Sequence, residues 1–296
     1  MSRTSNVPAP LTHGPFLARD ALAAGLLSPK QLTTDRWRQI YRGVFVLAAI
    51  PDCVELRAQA ARLIMPPGAV LSGRTAAYLL GVDICSLGAP LEITVPREAT
   101  ISARPGVAVR RALLPAGDVG WASGLPVTVP ARTAFDLGRR RGDTEALVAL
   151  DALVHAGLVE VDELRRYLAG RRGWRGVRII ADRLPLVEAG AESPMETRLR
   201  LVLIRGGLPR PAVQVPVLDQ SGQFVARPDM SYPEARLGIE YDGRYHAETA
   251  AFVADRQRLN RLLGAGWRLL HYTADDVYRR PAMVVAQVRP PSTRRS

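Results

Sequence analysis

Asp229 and Glu240 lie equally far from the midpoint between Glu234 and Ala235. The flanking segments, 224–232 and 236–242, read as strands of a hairpin turning at Pro233-Glu234-Ala235. A symmetric register sets the two acids opposite each other on one face, with Cβ atoms about 4.5–5.5 Å apart. Like charges so placed destabilise a sheet, so the pair calls for a cation between the carboxylates or a proton on one of them. Asp242, two residues past Glu240, shares its face. Three carboxylates at a strand end form a hard oxygen donor set, suited to Mg2+ (or Mn2+) rather than zinc. His246 follows in the loop after Gly243, within reach of that set. Plainer readings stand beside these: Asp242-Gly243 is a common turn dipeptide, and a loop histidine is usually solvated.

The elements that position these residues run from Glu192 onward. Ser193 reads as an N-cap, Pro194 as the first helical residue, and Glu196 as the third, completing a capping box. Glu196 can serve that cap alone or also face the acidic pair. A strand over 213–218 and a turn over 219–222 precede the hairpin. An amphipathic helix over 252–264 carries Asp255, Arg256, Arg258 and Arg261, and a buried-type strand over 267–272 makes His271 a core histidine. A final helix over 275–288 should kink at Pro281. The order is α-β-β-β-α-β-α.

At the other end, 14–25 has helical spacing closed by Gly25, and Ser28-Pro29 opens a second helix to about Arg38. The β-rich run 40–47, with Gly43 inside it, follows. Two short helices and a basic hairpin give the order of a winged helix-turn-helix. The second helix would be the recognition helix, carrying Lys30, Arg36 and Arg38, with Arg42 on the wing. The alternative is a small helical unit with a solvated basic face. Between the ends, helices over 53–64 and 73–80 precede strands over 91–95, 107–114 and 125–129. A helical stretch then opens at Pro130, and Arg171–Gly176 forms a basic turn.

The 296 residues hold 40 Lys+Arg against 28 Asp+Glu, a formal net charge of +12. Such a balance points to a nucleic-acid partner, although all the basic residues but Lys30 are arginine, as a GC-rich genome would also write. The 47% hydrophobic and 23% charged fractions exclude global disorder, collagen and a coiled-coil rod. No apolar run nears the ~20 residues that span a bilayer, and no secretory signal is read at the N-terminus. Cys53 and Cys85, two lone thiols, fit a reducing cytoplasm and exclude a cysteine zinc site.

Residues 10–150 resemble the AbiEi-type antitoxins of bacterial abortive-infection systems. The resemblance rests on Tyr41-Arg42-Gly43-Val44-Phe45, on Leu71-Ser72-Gly73-Arg74-Thr75-Ala76-Ala77 before Leu80-Gly81, and on Gly124-Leu125-Pro126-Val127-Thr128. Ala131-Arg132-Thr133 and Asp136-Leu137 complete it. It implies operator-DNA binding by the winged helix and a cognate toxin as partner. Residues 190–288 resemble the PD-(D/E)XK nuclease superfamily, most closely its Vsr-like branch. That resemblance rests on Glu196 with Arg200, Arg227-Pro228-Asp229, Ile239-Glu240-Tyr241-Asp242-Gly243 and His246, 255–261, and Gly266-Trp267-Arg268-Leu269. Asp242 stands where the superfamily usually has lysine.

The nuclease resemblance implies metal-assisted phosphodiester hydrolysis. Asp229, Glu240 and Asp242 would hold Mg2+, His246 would act as general base or orient the water, and Glu196 would complete the outer shell. Arg256, Arg258 and Arg261 would grip phosphates. The reading is therefore an α/β (α+β) chain with three parts. These are a winged helix over 1–52, a mixed α/β middle region over 53–185, and a restriction-endonuclease-like domain with a central mixed sheet over 186–296. Its function would be DNA cleavage in phage defence, a toxin–antitoxin system or DNA repair, with no membrane and no small-molecule cofactor. The alternative is a non-enzymatic, antitoxin-like DNA-binding regulator whose nuclease fold has degenerated, which the aspartate at the lysine position favours.

Overall fold

The computed structural model describes residues 7–85, 88–102, 104–219, 221–243 and 259–289. The fold is mixed α+β, as the element order requires, and the chain divides into two compact units. One is Met1–Arg139 with Leu158–Val177; the other is Arg140–Gly157 with Arg178–Ser296. Residues assigned by sequence to the middle region are thus shared between the units. Among the described residues no helix is long and apolar enough to cross a membrane.

The first unit opens with strand β1 (Phe16–Leu17), helices α1 (Ala18–Ala23) and α2 (Pro29–Leu32), and strands β2 (Trp37–Tyr41) and β3 (Val44–Leu47). The strands form an antiparallel sheet in the order β1-β3-β2. Gly25 ends α1 at φ +65°, and Ser28 and Gln31 form the reciprocal capping box of α2. The helix expected to reach Arg38 stops at Leu32. The hydroxyls of Thr33 and Thr34 bond back to Lys30 O (2.9 Å) and Gln31 O (2.8 Å), competing with the next turn. Trp37 is drawn into β2 by edge-to-face contact with Phe16, ring centres 5.1 Å apart. Phe16 and Leu17, expected in a helix, pair instead with Phe45 and Val44.

Helices α3 (Val54–Arg62) and α4 (Gly73–Leu79) follow, with a mixed sheet ordered β6-β5-β4-β8-β7. Its strands are β4 (Val70–Leu71), β5 (Leu91–Val95), β6 (Val107–Arg111), β7 (Val119–Ala122) and β8 (Leu125–Thr128). Helix α5 (Pro130–Gly138) is buried all round from Ala131 to Gly138. Two of its buried residues are charged, and their partners close a network. Arg132 bonds Asp136 (2.8 Å) and Asp118 (2.7 Å), and Arg139 bonds Asp136 (2.5 Å). Arg171, just past helix α7 (Val161–Ala169), also bonds Asp118.

The second unit contains α6 (Asp143–His155), α8 (Val177–Arg183, whose first residue falls in the other unit) and α9 (Pro194–Arg205). Asp151 of α6 accepts from Thr197 (2.8 Å) and Arg200 (2.7 Å) of α9 and from the Glu188 N–H (2.9 Å). This bonding joins α6 to α9 and to the segment that precedes it. The expected strand 213–218 is two pieces, β9 (Ala212–Val213) and β10 (Val217–Leu218), parted by Gln214 at φ +53°. The expected strand 224–232 is also two: β11 (Phe224–Ala226) pairs with β10, and β12 (Met230–Tyr232) pairs with β9 and with β13 (Leu237–Tyr241). Strand β14 (Arg268–Tyr272) lies parallel to β13, giving the order β14-β13-β12-β9. A parallel pair needs a crossover, and the helical residues 259–264 (α10) belong to it. The last helix is two, α11 (Ala274–Arg279) and α12 (Pro281–Val288), broken at Pro281 as its missing N–H dictates.

Candidate functional site

The β12–β13 register pairs Met230 with Ile239, Ser231 with Gly238 and Tyr232 with Leu237. One step outward, the same register sets Asp229 against Glu240. This is the symmetric hairpin that the turn midpoint predicts, although Asp229 stands just before β12 rather than inside it. Its Oδ2 accepts the Tyr241 N–H (2.8 Å), and its carbonyl accepts the Gln214 N–H (3.0 Å). Glu240 is 8% exposed, in a strand whose first four residues are all buried.

Glu196 comes from the first turn of α9. Its N–H bonds Ser193 Oγ (3.2 Å), so the N-cap forms as expected. The reciprocal arm differs. The Glu196 carboxylate passes the Ser193 N–H and accepts from the Glu192 N–H (2.9 Å) and from Gln214 Nε2 (3.2 Å). Burial raises the Glu196 carboxyl above the ordinary range. The hydrogen bonds from Glu192, Ser193 and Gln214 oppose that rise, and the negative charge of Asp229 adds to it. Gln214 thus ties the helix acid to the hairpin acid. Sequence reasoning missed it, because nothing in the string marks a glutamine for the left-handed region.

His271 corrects an expectation. Read as a core histidine, it has a side chain that is 45% exposed, and it stands beside Glu240 in the parallel register, Nδ1 to Oε2 3.6 Å. Alternation in β14 gave no signal for it: His271 and Arg268, three residues apart, point to opposite faces of the sheet, yet both are exposed. Asp242 is exposed past the end of β13, its N–H bonded to Tyr272 O (2.8 Å). Among the described residues no group of three or more His, Cys, Asp or Glu is placed to hold a metal ion. The expected trio is therefore not assembled, and what the register leaves is Asp229 set opposite Glu240. His246, Arg256 and Arg258 lie outside the described residues, and Arg261 is exposed on α10.

Of the residues expected to meet DNA at the N-terminal end, Lys30 on α2 and Arg42 in the β2–β3 turn are exposed, and Arg36 is half-buried. Arg38 lies on β2 rather than on a recognition helix. Its guanidinium is held within the chain by Ile50 O (2.7 Å) and Asp52 (3.5 Å).

A two-unit α+β chain, with an acid pair at the end of a mixed sheet, is the class these observations define. Residues 68–185 match the family model of the AbiEi antitoxin C-terminal domain, so this part of the chain is antitoxin-like. The uncharacterized proteins MT2308 and Rv2248 of Mycobacterium tuberculosis strains CDC 1551 and H37Rv are each 35% identical over 167 residues, covering 56% of this chain and 61% of theirs. The chain thus spans less than two thirds of the length of these curated relatives. The crystal structure of the RV2827C protein from Mycobacterium tuberculosis is similar over 62% of this chain and 74% of that one, at 21% identity and a TM-score of 0.39.

Proposed function

We propose that this protein acts on DNA and that its second unit hydrolyses phosphodiester bonds at the Asp229–Glu240 end of the sheet. The observation that supports this reading is the β12–β13 register, which, carried one step past its last pair, sets Asp229 opposite Glu240, with the charge of Asp229 among the causes that raise the Glu196 carboxyl. The donor chemistry fits Mg2+ or Mn2+: a small hard cation takes one or two carboxylates and fills its other positions with water and phosphate oxygens. Held there by Asp229 and Glu240, it would supply polarisation of the phosphate and a more acidic bound water. The chain's own residues do the positioning. Tyr241 and Gln214 fix Asp229 through backbone N–H groups. His271 stands beside Glu240, Nδ1 to Oε2 3.6 Å. Glu196, its carboxyl held above the ordinary range by burial, accepts from the Glu192 N–H and from Gln214 Nε2, which fixes it at the first turn of α9. His246 remains the proposed general base, and Lys30, Arg36 and Arg42 the proposed DNA contacts of the first unit.

The test is nicking of supercoiled plasmid by the full chain. Cleavage with Mg2+ or Mn2+, its absence in EDTA, and a loss of at least about 100-fold, within the range a metal-activated water supplies, in Asp229→Ala are expected. Nicking that survives either condition would sink the site. One observation favours a second reading. The antitoxin-family match over 68–185 supports a non-enzymatic DNA-binding regulator acting with a cognate toxin, and duplex binding without nicking would favour it.

A further inference from the structure

The Arg132 network has no part in the chemistry proposed for the second unit. Three arginines, 132, 139 and 171, face two aspartates, 118 and 136, in or near the core of the first unit. Arg132 and Asp118 have no exposed side-chain surface. Nη2 of Arg132 and the Nε atoms of Arg139 and Arg171 are buried without an acceptor. Aromatic faces stand in: Arg171 lies 3.5 Å from the Tyr167 ring centre, and Trp174 lies 5.3 Å from Arg171 and 5.5 Å from Arg132. Buried ion pairs are weak stabilisers, and their best-attested use is to fix one arrangement among several.

What this network fixes is the turn 171–176. Arg171 anchors its first residue to Asp118, and Arg139 Nη1 donates to Arg175 O (3.0 Å) near its end. Trp174 packs edge-on against Phe135, ring centres 6.0 Å apart. Gly173 and Gly176 supply φ of +88° and +95°, and a Cβ on Gly176 would meet Arg139 Cβ at 2.8 Å. The turn is therefore anchored at both ends, to Asp118 and to Arg139, the C-cap residue of α5, and at Trp174 against α5 itself. Its outward side chains, Arg172 and Arg175, are exposed, with no ion pair or side-chain hydrogen bond among the described residues. A rigid frame that presents two unpaired guanidinium forks suits phosphate, which they bind bidentately.

We propose that the turn 171–176 is a grip for the nucleic-acid backbone, with Arg172 and Arg175 as its phosphate contacts. The inference rests on the reading of the protein as DNA-acting but not on hydrolysis. It is tested on the full chain in EDTA, by titrating a fluorescent duplex at a series of salt concentrations. Each phosphate contact contributes about 0.9 to the slope of log affinity against log salt. Arg172→Ala with Arg175→Ala should therefore flatten the slope by about 2, and Arg172→Ala alone by about 1. Lysine at both positions should restore the wild-type slope. Arg279→Ala, which removes an exposed arginine already paired with Asp275, should leave it unchanged. Thermal melts of the alanine variants matching the wild type would exclude misfolding as the cause. A wild-type slope in the double alanine variant overturns the inference, as does a wild-type chain that binds no duplex. Binding of polyglutamate that needs both arginines, with duplex slope intact, would assign the turn to an acidic protein instead. Because no metal is present, failure to nick plasmid leaves this result standing, and nicking with an unaltered slope would overturn the grip alone.

Discussion

Arg132 has no solvent-exposed side chain, yet its charge is met at two carboxylates. Asp118 is the joint of that network, accepting from Arg132 (2.7 Å), from Tyr167 OH (3.0 Å) and from Arg171. Asp118→Ala should lower unfolding free energy by about 3–5 kcal/mol, because removing one partner strands buried charge. Urea unfolding measures it, and a loss below ~1 kcal/mol would mean that the remaining carboxylate suffices. Glu196 gives a prediction of opposite sense. Its folded carboxyl titrates above the unfolded value, since burial outweighs its hydrogen bonds. The folded state then holds the proton more tightly, so this residue's contribution is fully present below the unfolded pKa and is lost as pH rises through the folded one. Glu196→Gln removes that loss. Near neutral pH the variant should match or exceed the wild type in stability, with the difference closing as pH falls toward 4.5, the ordinary glutamate value. A variant less stable at neutral than at acid pH, relative to wild type, would contradict it.

At the scale of elements, two adjacent glycines end α9 for different reasons. Gly206 has an ordinary φ, but a Cβ there would come within 2.3 Å of Val285 Cγ2 on α12. Gly207 sits at φ +78° with nothing within 4 Å. Gly206→Ala should cost about 1–3 kcal/mol by overpacking, and Gly207→Ala about 1–2 kcal/mol by left-handed strain. Adding Val285→Ala should recover part of the first loss and none of the second, a contrast that thermal melts can read. The sequence shows the pair as a helix stop but not this division of labour, which depends on where α12 returns. The same limit explains the other differences. The register of Asp229 against Glu240 was legible, because a turn midpoint and a period of two fix it locally. The break at 227–229 was not, because alternation does not say that β11 pairs with β10 while β12 pairs with β13. Nor was the short α2, which the back-bonding Thr33 and Thr34 hydroxyls end, or the start of β2, where Trp37 packs on Phe16. Nothing in the string marks Arg132 as buried, and its i,i+4 spacing to Asp136 is the one local hint of a partner.

At the scale of the whole molecule, a net charge of +12 would favour the proposed association with DNA, while the proposed site is a patch of the opposite sign. Asp229, Glu240 and Glu196 repel a phosphate that approaches them without a cation. If a divalent ion bridges the acids and the phosphate, ion and DNA must raise each other's affinity by the same factor, because the coupling is reciprocal. Wild-type protein should therefore bind a non-cleavable phosphorothioate duplex more tightly in Mg2+ than in EDTA, once ionic strength is matched. A coupling of about 1–3 kcal/mol corresponds to roughly 5–150-fold. Asp229→Ala removes one repelling charge and one donor together. In EDTA its affinity should equal or exceed that of the wild type, and adding Mg2+ should gain it little. Binding titrations at constant ionic strength decide the matter without any turnover. If the wild type gains nothing from Mg2+, the acid pair does not share a cation with the DNA, and its opposition across β12 and β13 needs another cause.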